Sequence, residues 1–247
     1  MSRVVLNASG PSDAVVVRAG DVGEELVRAM LAGDRVRVEA TAARLRHVEP
    51  ERLTRNERLA FWINAYNALA MHGVLRLGVT RTVWQVWNFY GRVSYRVGRY
   101  VLSLDEIEHG ILRANRRRAL PPWPSFGRRD PRRSLAVDPI DARIHFALNC
   151  AAASCPPVGI YRAGAIDAQL TLAARSFVNQ EVALDDGRIS CSRIFKWYGG
   201  DFGSPAMLSE FLRAHLDDGP VKSALSGRTT PCQAYRPYSW ALPHPSV

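Results

Sequence analysis

The chain has 247 residues, of which 47% are hydrophobic and 23% are charged. This composition excludes collagen-like, coiled-coil and wholly disordered proteins, and the length predicts one large domain or two small ones. No apolar run reaches the roughly 18 residues that a membrane-spanning helix needs. Because the N-terminus also lacks the unbroken apolar stretch of a signal peptide, we expect a cytoplasmic protein with no membrane partner.

Most of the formal net charge of +10 lies in one segment, Arg113–Arg133. It contains eight arginines and one acidic residue, which gives a local charge of +7. Arginines bind phosphate-rich and acidic partners, and Trp123 and Phe126 could stack on nucleic-acid bases. Since the segment is also rich in proline, we favour a solvated loop over nucleic-acid binding, and an acidic partner stays open as an alternative.

Apolar periodicity predicts that the first half of the chain is largely helical. Two short helices are expected within Val22–Leu45, separated at residues 32–34. The capping box Thr54-Arg-Asn-Glu57 opens a long apolar helix that should end near Gly78. Alternating residues in Val93–Leu102 then predict a hairpin.

The pattern of the second half is mixed. A second capping box, Ser103-Leu-Asp-Glu106, opens another helix, and Pro121–Pro139 has the composition of a long loop. Alternation in Arg143–Cys150 predicts a strand. A helix over Ile166–Val182 and a strand over Arg188–Ser192 follow.

These elements predict an α/β or α+β fold, with one mostly helical domain around a small central β-sheet. We expect three parts in the chain. A helical N-terminal extension over residues 1–52 packs on the core, the main domain spans residues 53–242, and residues 243–247 form a tail.

The cysteines carry the most distinctive chemistry. Cys150, Cys155, Cys191 and Cys232 are too few and too unevenly spaced for a disulfide framework, so we expect free thiols. The predicted strand ends at Cys150, and Cys155 lies in the loop that follows, where α/β folds often place catalytic groups. An accessible thiol near a positive group is a nucleophile. The alternative is a buried Cys150 and a Cys155 without function.

His109 is the candidate base for such a thiol. Glu106 and His109 are three residues apart and share one helical face, where the carboxylate can orient the imidazole. Glu106 has a second interpretation, because it can simply cap the helix that begins at Ser103. His145 is less favoured as a base for Cys150, since residues five apart in a strand point to opposite faces.

Polar residues in apolar surroundings add further candidates. Asn64 and Asn67 lie in the long apolar helix, and a buried amide must find hydrogen-bond partners. We expect at least one of them to brace a neighbouring segment. Asp201 can orient a histidine, ligate a cation or cap the glycine-rich turn before it.

Six segments contain most of these candidates: Leu59–Leu69, Leu104–Arg113, Asp141–Cys150, Ser154–Pro157, Ile194–Tyr198 with Asp201–Phe202, and Tyr238–Leu242. In sequence and order they resemble the motifs of the DUF547 family, whose function is unknown. The resemblance covers roughly residues 53–242. A purely structural core would not need so many polar and thiol groups in its motifs, so the pattern indicates a functional site.

Our leading hypothesis is a cysteine-dependent hydrolase or transferase that acts on acyl or amide groups of a small-molecule or peptide-like substrate. The mechanism would be analogous to that of papain- and transglutaminase-like enzymes, whose fold is a candidate for this chain. His109, oriented by Glu106 or Asn67, precedes both thiols, as in a permuted arrangement. Main-chain amides of Ala151–Ser154 form the predicted oxyanion hole. The site comprises a nucleophile, a base with its orienting carboxylate, and supporting residues: Cys155 with Cys150 as alternate, His109, Glu106, and Asn64, Asn67, His145, Asn149, Ser154 and Asp201.

Two alternatives stay open. The first is a non-catalytic module that binds a ligand or partner through the motif residues. The second is a redox or zinc site at Cys150 and Cys155, although their spacing lies at the edge of the range usual for zinc. No cofactor is expected, because the sequence has no glycine-rich nucleotide-binding loop.

Overall fold

A computed structural model describes residues 2–8, 17–117, 123–226, 228 and 230–243. Helices and two small three-stranded sheets confirm the α+β class. The single central sheet of the prediction is wrong, because the described strands divide between two sheets. The chain forms two compact units: unit 1 takes residues up to 140, residues 148–166 and the segment from residue 240, and unit 2 takes residues 141–147 and 167–239. The domain limits expected at residues 52 and 242 stay predictions.

Unit 1 is built on the buried helix α3 (Arg55–Arg76). As predicted, α3 begins at a capping box, in which the Thr54 hydroxyl accepts the N–H of Glu57 and the Glu57 carboxylate accepts that of Thr54. Helices α1 (Ala19–Leu31) and α2 (Arg35–Arg44) confirm the predicted pair. Because α1 packs along α3, both helices bury their apolar faces in one core.

The first sheet also belongs to unit 1. Strands β2 (Val93–Val97) and β3 (Tyr100–Ser103) form the predicted hairpin, and β1 (Val4–Val5) pairs in parallel with β2. A short helix, α4 (Phe89–Arg92), precedes β2. The helix predicted after β3 is a π-helix over Glu106–Leu112, a rare type that is frequent at functional sites.

Unit 2 combines helices with the second sheet around an aromatic core. Helix α5 (Ile166–Glu181) and strand β5 (Arg188–Cys191) lie where they were predicted. Strand β4 (Ala183–Asp185) pairs antiparallel with β5, and β6 (Ala234–Tyr235) pairs in parallel with it. Three more helices in the described part of the unit follow β5: α6 (Ile194–Trp197), α7 (Pro205–His215) and α8 (Pro220–Ala224). The largest core side chains are phenylalanines: Phe146, Phe177, Phe195 and Phe202.

The strand predicted over Arg143–Cys150 is wrong. The Asp141 carboxylate accepts the N–H of Arg143 at 3.1 Å, and a 3-10 helix forms over Ala142–Phe146. A local side-chain cap of this kind competes with strand pairing. Alternation of apolar residues alone does not reveal that competition.

Two of the four cysteines contradict the expectation of free thiols. Cys191 and Cys232 form a disulfide in unit 2, with their Cα atoms 5.7 Å apart. The pairing of β5 with β6 brings these residues together across 41 positions of sequence. Spacing along the chain could not show this contact.

The disulfide also bears on the expected location. Disulfides are rare in the reducing cytosol, so the Cys191–Cys232 bond does not favour the cytoplasmic location expected from the N-terminal sequence, and that location stays a prediction. Among the helices of the described ranges, none combines the length and the apolar character needed to span a bilayer.

Candidate functional site

Cys150 and Cys155 lie in one turn of unit 1, within residues 149–157, which we call the thiol loop. Their Sγ atoms are 2.8 Å apart, and the main-chain N–H of Cys150 donates to Cys155 Sγ at 3.2 Å. Both residues are half-buried. Ala151 adopts a positive φ of 66°, and the N–H of Cys155 donates to the Ala152 carbonyl at 2.9 Å, which closes the turn. The two predicted thiols are therefore brought together.

Two asparagines hold the thiol loop in place. The buried Asn67 of α3 accepts the N–H of Asn149 at 2.8 Å. Asn149 in turn donates from Nδ2 to the Pro156 carbonyl at 2.7 Å and accepts the N–H of Ala151 at 2.8 Å. The loop is thus tied to the buried helix at one end and bridged across its own ends. Ser154 lies half-buried between the thiols in the sequence.

Asn64 braces a different segment of unit 1. Its Nδ2 donates to the Tyr161 carbonyl at 2.8 Å, and its Oδ1 accepts the N–H of Tyr161 at 2.9 Å. The oxygen and the nitrogen of the side-chain amide are therefore both used to hold the segment that follows the thiol loop.

His109 lies on the π-helix and is only slightly exposed. Its Nδ1 contacts Arg113 Nη1 at 2.9 Å. A guanidinium can only donate hydrogen bonds, so Nδ1 is the acceptor and the neutral ring carries its proton on Nε2. Glu108 and Asp105 lie farther from the ring, with oxygen-to-nitrogen distances of 3.7 and 3.9 Å.

Glu106 does not orient His109 in this structure. Its carboxylate accepts the N–H of Ser103 at 2.9 Å, which completes the second predicted capping box. The same group pairs with Arg3 at 2.7 Å and with Arg132 at 2.8 Å. The capping interpretation therefore accounts for Glu106, together with two ion pairs.

Four residues that contact the thiol loop, His109 or one another were not predicted. Tyr90 donates from its hydroxyl to the Cys150 carbonyl at 2.8 Å, and Tyr66 donates to Glu108 at 2.8 Å. Burial, with added effects of Cys150, Cys155 and Glu108, raises the pKa of Tyr90, so its hydroxyl remains a proton donor. The fourth residue is Arg113. Each of them except Tyr90 lies in or next to a family motif, and that position was the available signal.

His145 and Asp201 form a separate pair in unit 2. The distance from His145 Nε2 to Asp201 Oδ2 is 2.9 Å, and both side chains are only 2% exposed. Tyr198 stacks on the imidazole with ring centroids 4.0 Å apart. Asp201 therefore orients a histidine, one of the three roles expected for it.

Main-chain amides of the thiol loop are partly used within the protein. The N–H of Ala151 donates to Asn149, and the N–H of Ala153 donates to the Ala241 carbonyl at 2.7 Å. An oxyanion hole formed by these two amides would therefore need the loop to rearrange.

A zinc site finds no support within the described residues. No group of three or more His, Cys, Asp and Glu side chains in those ranges is arranged to hold a metal ion. Within the part of the chain that the structure describes, the thiol pair is therefore not joined by the further ligands that a structural zinc site uses.

Part of the arginine-rich segment is used inside unit 1. Arg113 is buried beside His109, and Arg132 pairs with Glu106 and Asp130 and lies over the Phe126 ring. Arg128 and Arg129 are exposed. Residues 118–122, which include part of the predicted loop, lie outside the described residues. An acidic partner for this segment stays a prediction.

Comparison with known proteins gives one family. A family model described as "Protein of unknown function, DUF547" matches residues 50–178. No curated protein and no solved structure matches the chain. The matched region contains α3, the π-helix and the thiol loop.

Proposed function

Since the chain belongs to the DUF547 family, whose function is unknown, we propose an activity from its site: cysteine-dependent hydrolysis or transfer of acyl or amide groups, with Cys155 as nucleophile. We extend the analogy with papain- and transglutaminase-like enzymes from mechanism to fold as part of the same proposal. Cys155 is favoured over Cys150 as the nucleophile because its Sγ accepts a main-chain hydrogen bond.

The observation that carries the proposal is the environment of Cys155 Sγ. It accepts the main-chain N–H of Cys150 at 3.2 Å and lies 2.8 Å from the Cys150 thiol, which can donate its S–H. Both donors stabilise a negative charge on Cys155 Sγ, and the thiolate is the reactive form of cysteine. Asn149 holds the loop closed, so the donors do not have to be gathered during the reaction.

The chemical step is an acyl transfer through a thioester. The Cys155 thiolate attacks the acyl carbon, the carbon–sulfur bond forms, and the bond to the leaving group breaks as that group takes a proton from solvent water. Water, or an amine acceptor in a transferase, then attacks the thioester, and the carbon–sulfur bond breaks to return the thiolate. Tyr90 remains protonated beside the loop, and its hydroxyl donates to the Cys150 carbonyl, which steadies the segment that carries the nucleophile.

His109 is the proposed base for the second attack. Its Nε2 can accept a proton only in the tautomer that carries hydrogen on Nδ1, and the Arg113 contact at 2.9 Å opposes that tautomer. Release of Nδ1 by Arg113 is therefore part of the proposed cycle. Glu108, which accepts a hydrogen bond from Tyr66 nearby, supplies the negative charge that would balance a protonated imidazole.

The first prediction is that Cys155 forms a covalent acyl-enzyme. Incubation of the full chain with p-nitrophenyl acetate should acetylate Cys155, as read by peptide mass. Cys155→Ser should abolish this label, and Cys150→Ala should slow it at least tenfold because the S–H donor to the thiolate is lost. His109→Gln should slow release of the acetyl group by about 100-fold or more, in line with general base catalysis.

Three results would contradict this prediction in different ways. Labelling of Cys150 in the Cys155→Ser protein at the wild-type rate would move the nucleophile to Cys150. Rapid conversion of both thiols to a disulfide by oxidised glutathione, without acylation, would favour the redox alternative. Absence of either reaction would leave a binding module. Circular dichroism of each variant controls for folding.

A further inference from the structure

A cavity of about 440 Å³ lies beside the thiol loop in unit 1. Asn149 and Ala151, the residues on either side of Cys150, form part of its wall, and helices α1, α2 and α3 form most of the rest. Small-molecule sites typically have volumes of roughly 300–1,000 Å³. A ligand in this cavity would contact the segment that carries the nucleophile.

The wall of the cavity is aliphatic. Met30, Val38 and Val74 represent the three helices, and Val158 lies just beyond the thiol loop. None of the described residues that form the wall is aromatic or acidic. Aromatic stacking and recognition of cations are therefore not available to a ligand there.

Only two polar side chains, those of Asn149 and Arg35, belong to the described wall. Asn149 already uses its amide in the thiol loop, where it bonds Ala151 and Pro156. A sugar, nucleotide or peptide backbone would leave its polar groups without partners against this surface, at a substantial cost in free energy. An aliphatic chain would not.

The exposed wall residues show where the cavity meets solvent. Leu75 is 46% exposed, and Arg35 is exposed as well. Leu31, which follows the wall residue Met30, is 56% exposed, and Val36, which follows Arg35, is 82% exposed. The cavity is therefore open to solvent on the side of Leu75 and Arg35.

We propose that this cavity binds the aliphatic chain of an acyl substrate whose acyl carbon reaches Cys155. The inference rests on the proposed function and gives its substrate class: esters, thioesters or amides of aliphatic acids. The peptide-like substrates considered from the sequence fit the aliphatic wall poorly.

The test separates binding from chemistry by using the Cys150→Ser/Cys155→Ser double variant. Calorimetry with dodecanoate and butanoate measures the affinity for a long and a short aliphatic chain. We expect dodecanoate to bind at least tenfold more tightly than butanoate. Val74→Trp and Val158→Trp, which fill the cavity from a helix and from the loop side, should each weaken dodecanoate binding at least tenfold. Leu172→Trp, at an exposed leucine of α5 outside the wall, is the matched control.

Each outcome decides a different part of the inference. No dodecanoate binding, or binding that both filling variants leave unchanged while thermal unfolding shows them folded, overturns the acyl-chain cavity. In the wild-type protein, p-nitrophenyl acetate and p-nitrophenyl dodecanoate then compare acylation of Cys155. Equal rates with both esters refute the cavity and leave the proposed function intact. Dodecanoate binding without acylation of Cys155 refutes the proposed function and leaves the cavity intact.

Discussion

Asn67 and Asn149 illustrate how single amides position the thiols. A fully buried amide must satisfy its donors and acceptors inside the protein. Asn67 does so by accepting the N–H of Asn149, and the half-buried Asn149 uses its own amide to bridge the thiol loop. These hydrogen bonds join side-chain amides to main-chain atoms. They therefore fix the backbone of the thiol loop, and with it the positions of Cys150 and Cys155.

Tyr161 yields a prediction about alkaline stability. Burial raises its pKa from 10.0 to about 12. The folded-state pKa exceeds the unfolded value, so its contribution to stability is complete below about pH 10 and is lost as the pH rises to about 12. We expect the free energy of unfolding to fall less steeply over this range in Tyr161→Phe. Urea unfolding at a series of pH values measures the slope.

The control for this experiment is Tyr235→Phe, at an exposed tyrosine of β6. It should keep the wild-type slope. A Tyr161→Phe protein with an unchanged slope would show that other groups, such as the buried Tyr90 and Tyr95, account for the alkaline loss of stability.

Among the elements, α3 and β2 approach so closely that they exclude a side chain at Gly73. A Cβ atom there would lie 2.9 Å from Val93 Cγ1 and 3.1 Å from Phe89 Cζ. Both neighbours are fully buried and cannot move aside freely. This glycine is therefore required by packing, and the close approach also sets the position of α4 beside α3.

We predict that Gly73→Ala lowers the free energy of unfolding by about 1–3 kcal/mol, the usual cost of overpacking. Gly20→Ala is the matched control, because a Cβ there meets nothing within 4 Å in α1. It should change stability by less than about 1 kcal/mol and in the stabilising direction, since alanine favours helix. Denaturant unfolding measures both. Equal effects of the two substitutions would refute the packing explanation.

Across the whole molecule, the two cysteine pairs serve different ends. Cys191 and Cys232 form a structural disulfide in unit 2, whereas Cys150 and Cys155 are thiols in unit 1. A cross-link over 41 residues restricts the unfolded chain and stabilises the fold. Cys150 and Cys155 are not cross-linked, so they do not restrict the unfolded chain in this way.

We therefore predict that Cys191→Ser/Cys232→Ser lowers the free energy of unfolding by about 2–4 kcal/mol and leaves acylation of Cys155 unchanged below the new melting temperature. Cys150→Ser/Cys155→Ser should do the reverse, with stability nearly retained and acylation lost. Four proteins test this separation: the wild type, each double variant, and the quadruple variant that combines them. Denaturant unfolding and the acylation assay are applied to all four. Loss of acylation in the first variant while it is folded would contradict it.

Local patterns were sufficient for much of the fold. Helices α1, α2 and α3, the hairpin and both capping boxes follow from periodicity and from side chains that bond amides three residues away, so neighbouring residues determine them. The family assignment likewise rests on short motifs. These features need no knowledge of which distant segments meet.

Contacts between distant residues decided the rest. Glu106 meets Arg3 across 103 positions, and Asn149 meets Asn67 across 82. The 2.8 Å approach of the two thiols depends on a closed turn, and the disulfide depends on strand pairing. Such contacts arise from packing of the whole chain, which periodicity does not encode. The sequence by itself therefore determined most of the helices, the hairpin, the family and the reactive residue types. Only the tertiary structure decided how the strands divide into sheets and which of the reactive residues share a site, because those depend on contacts between distant segments.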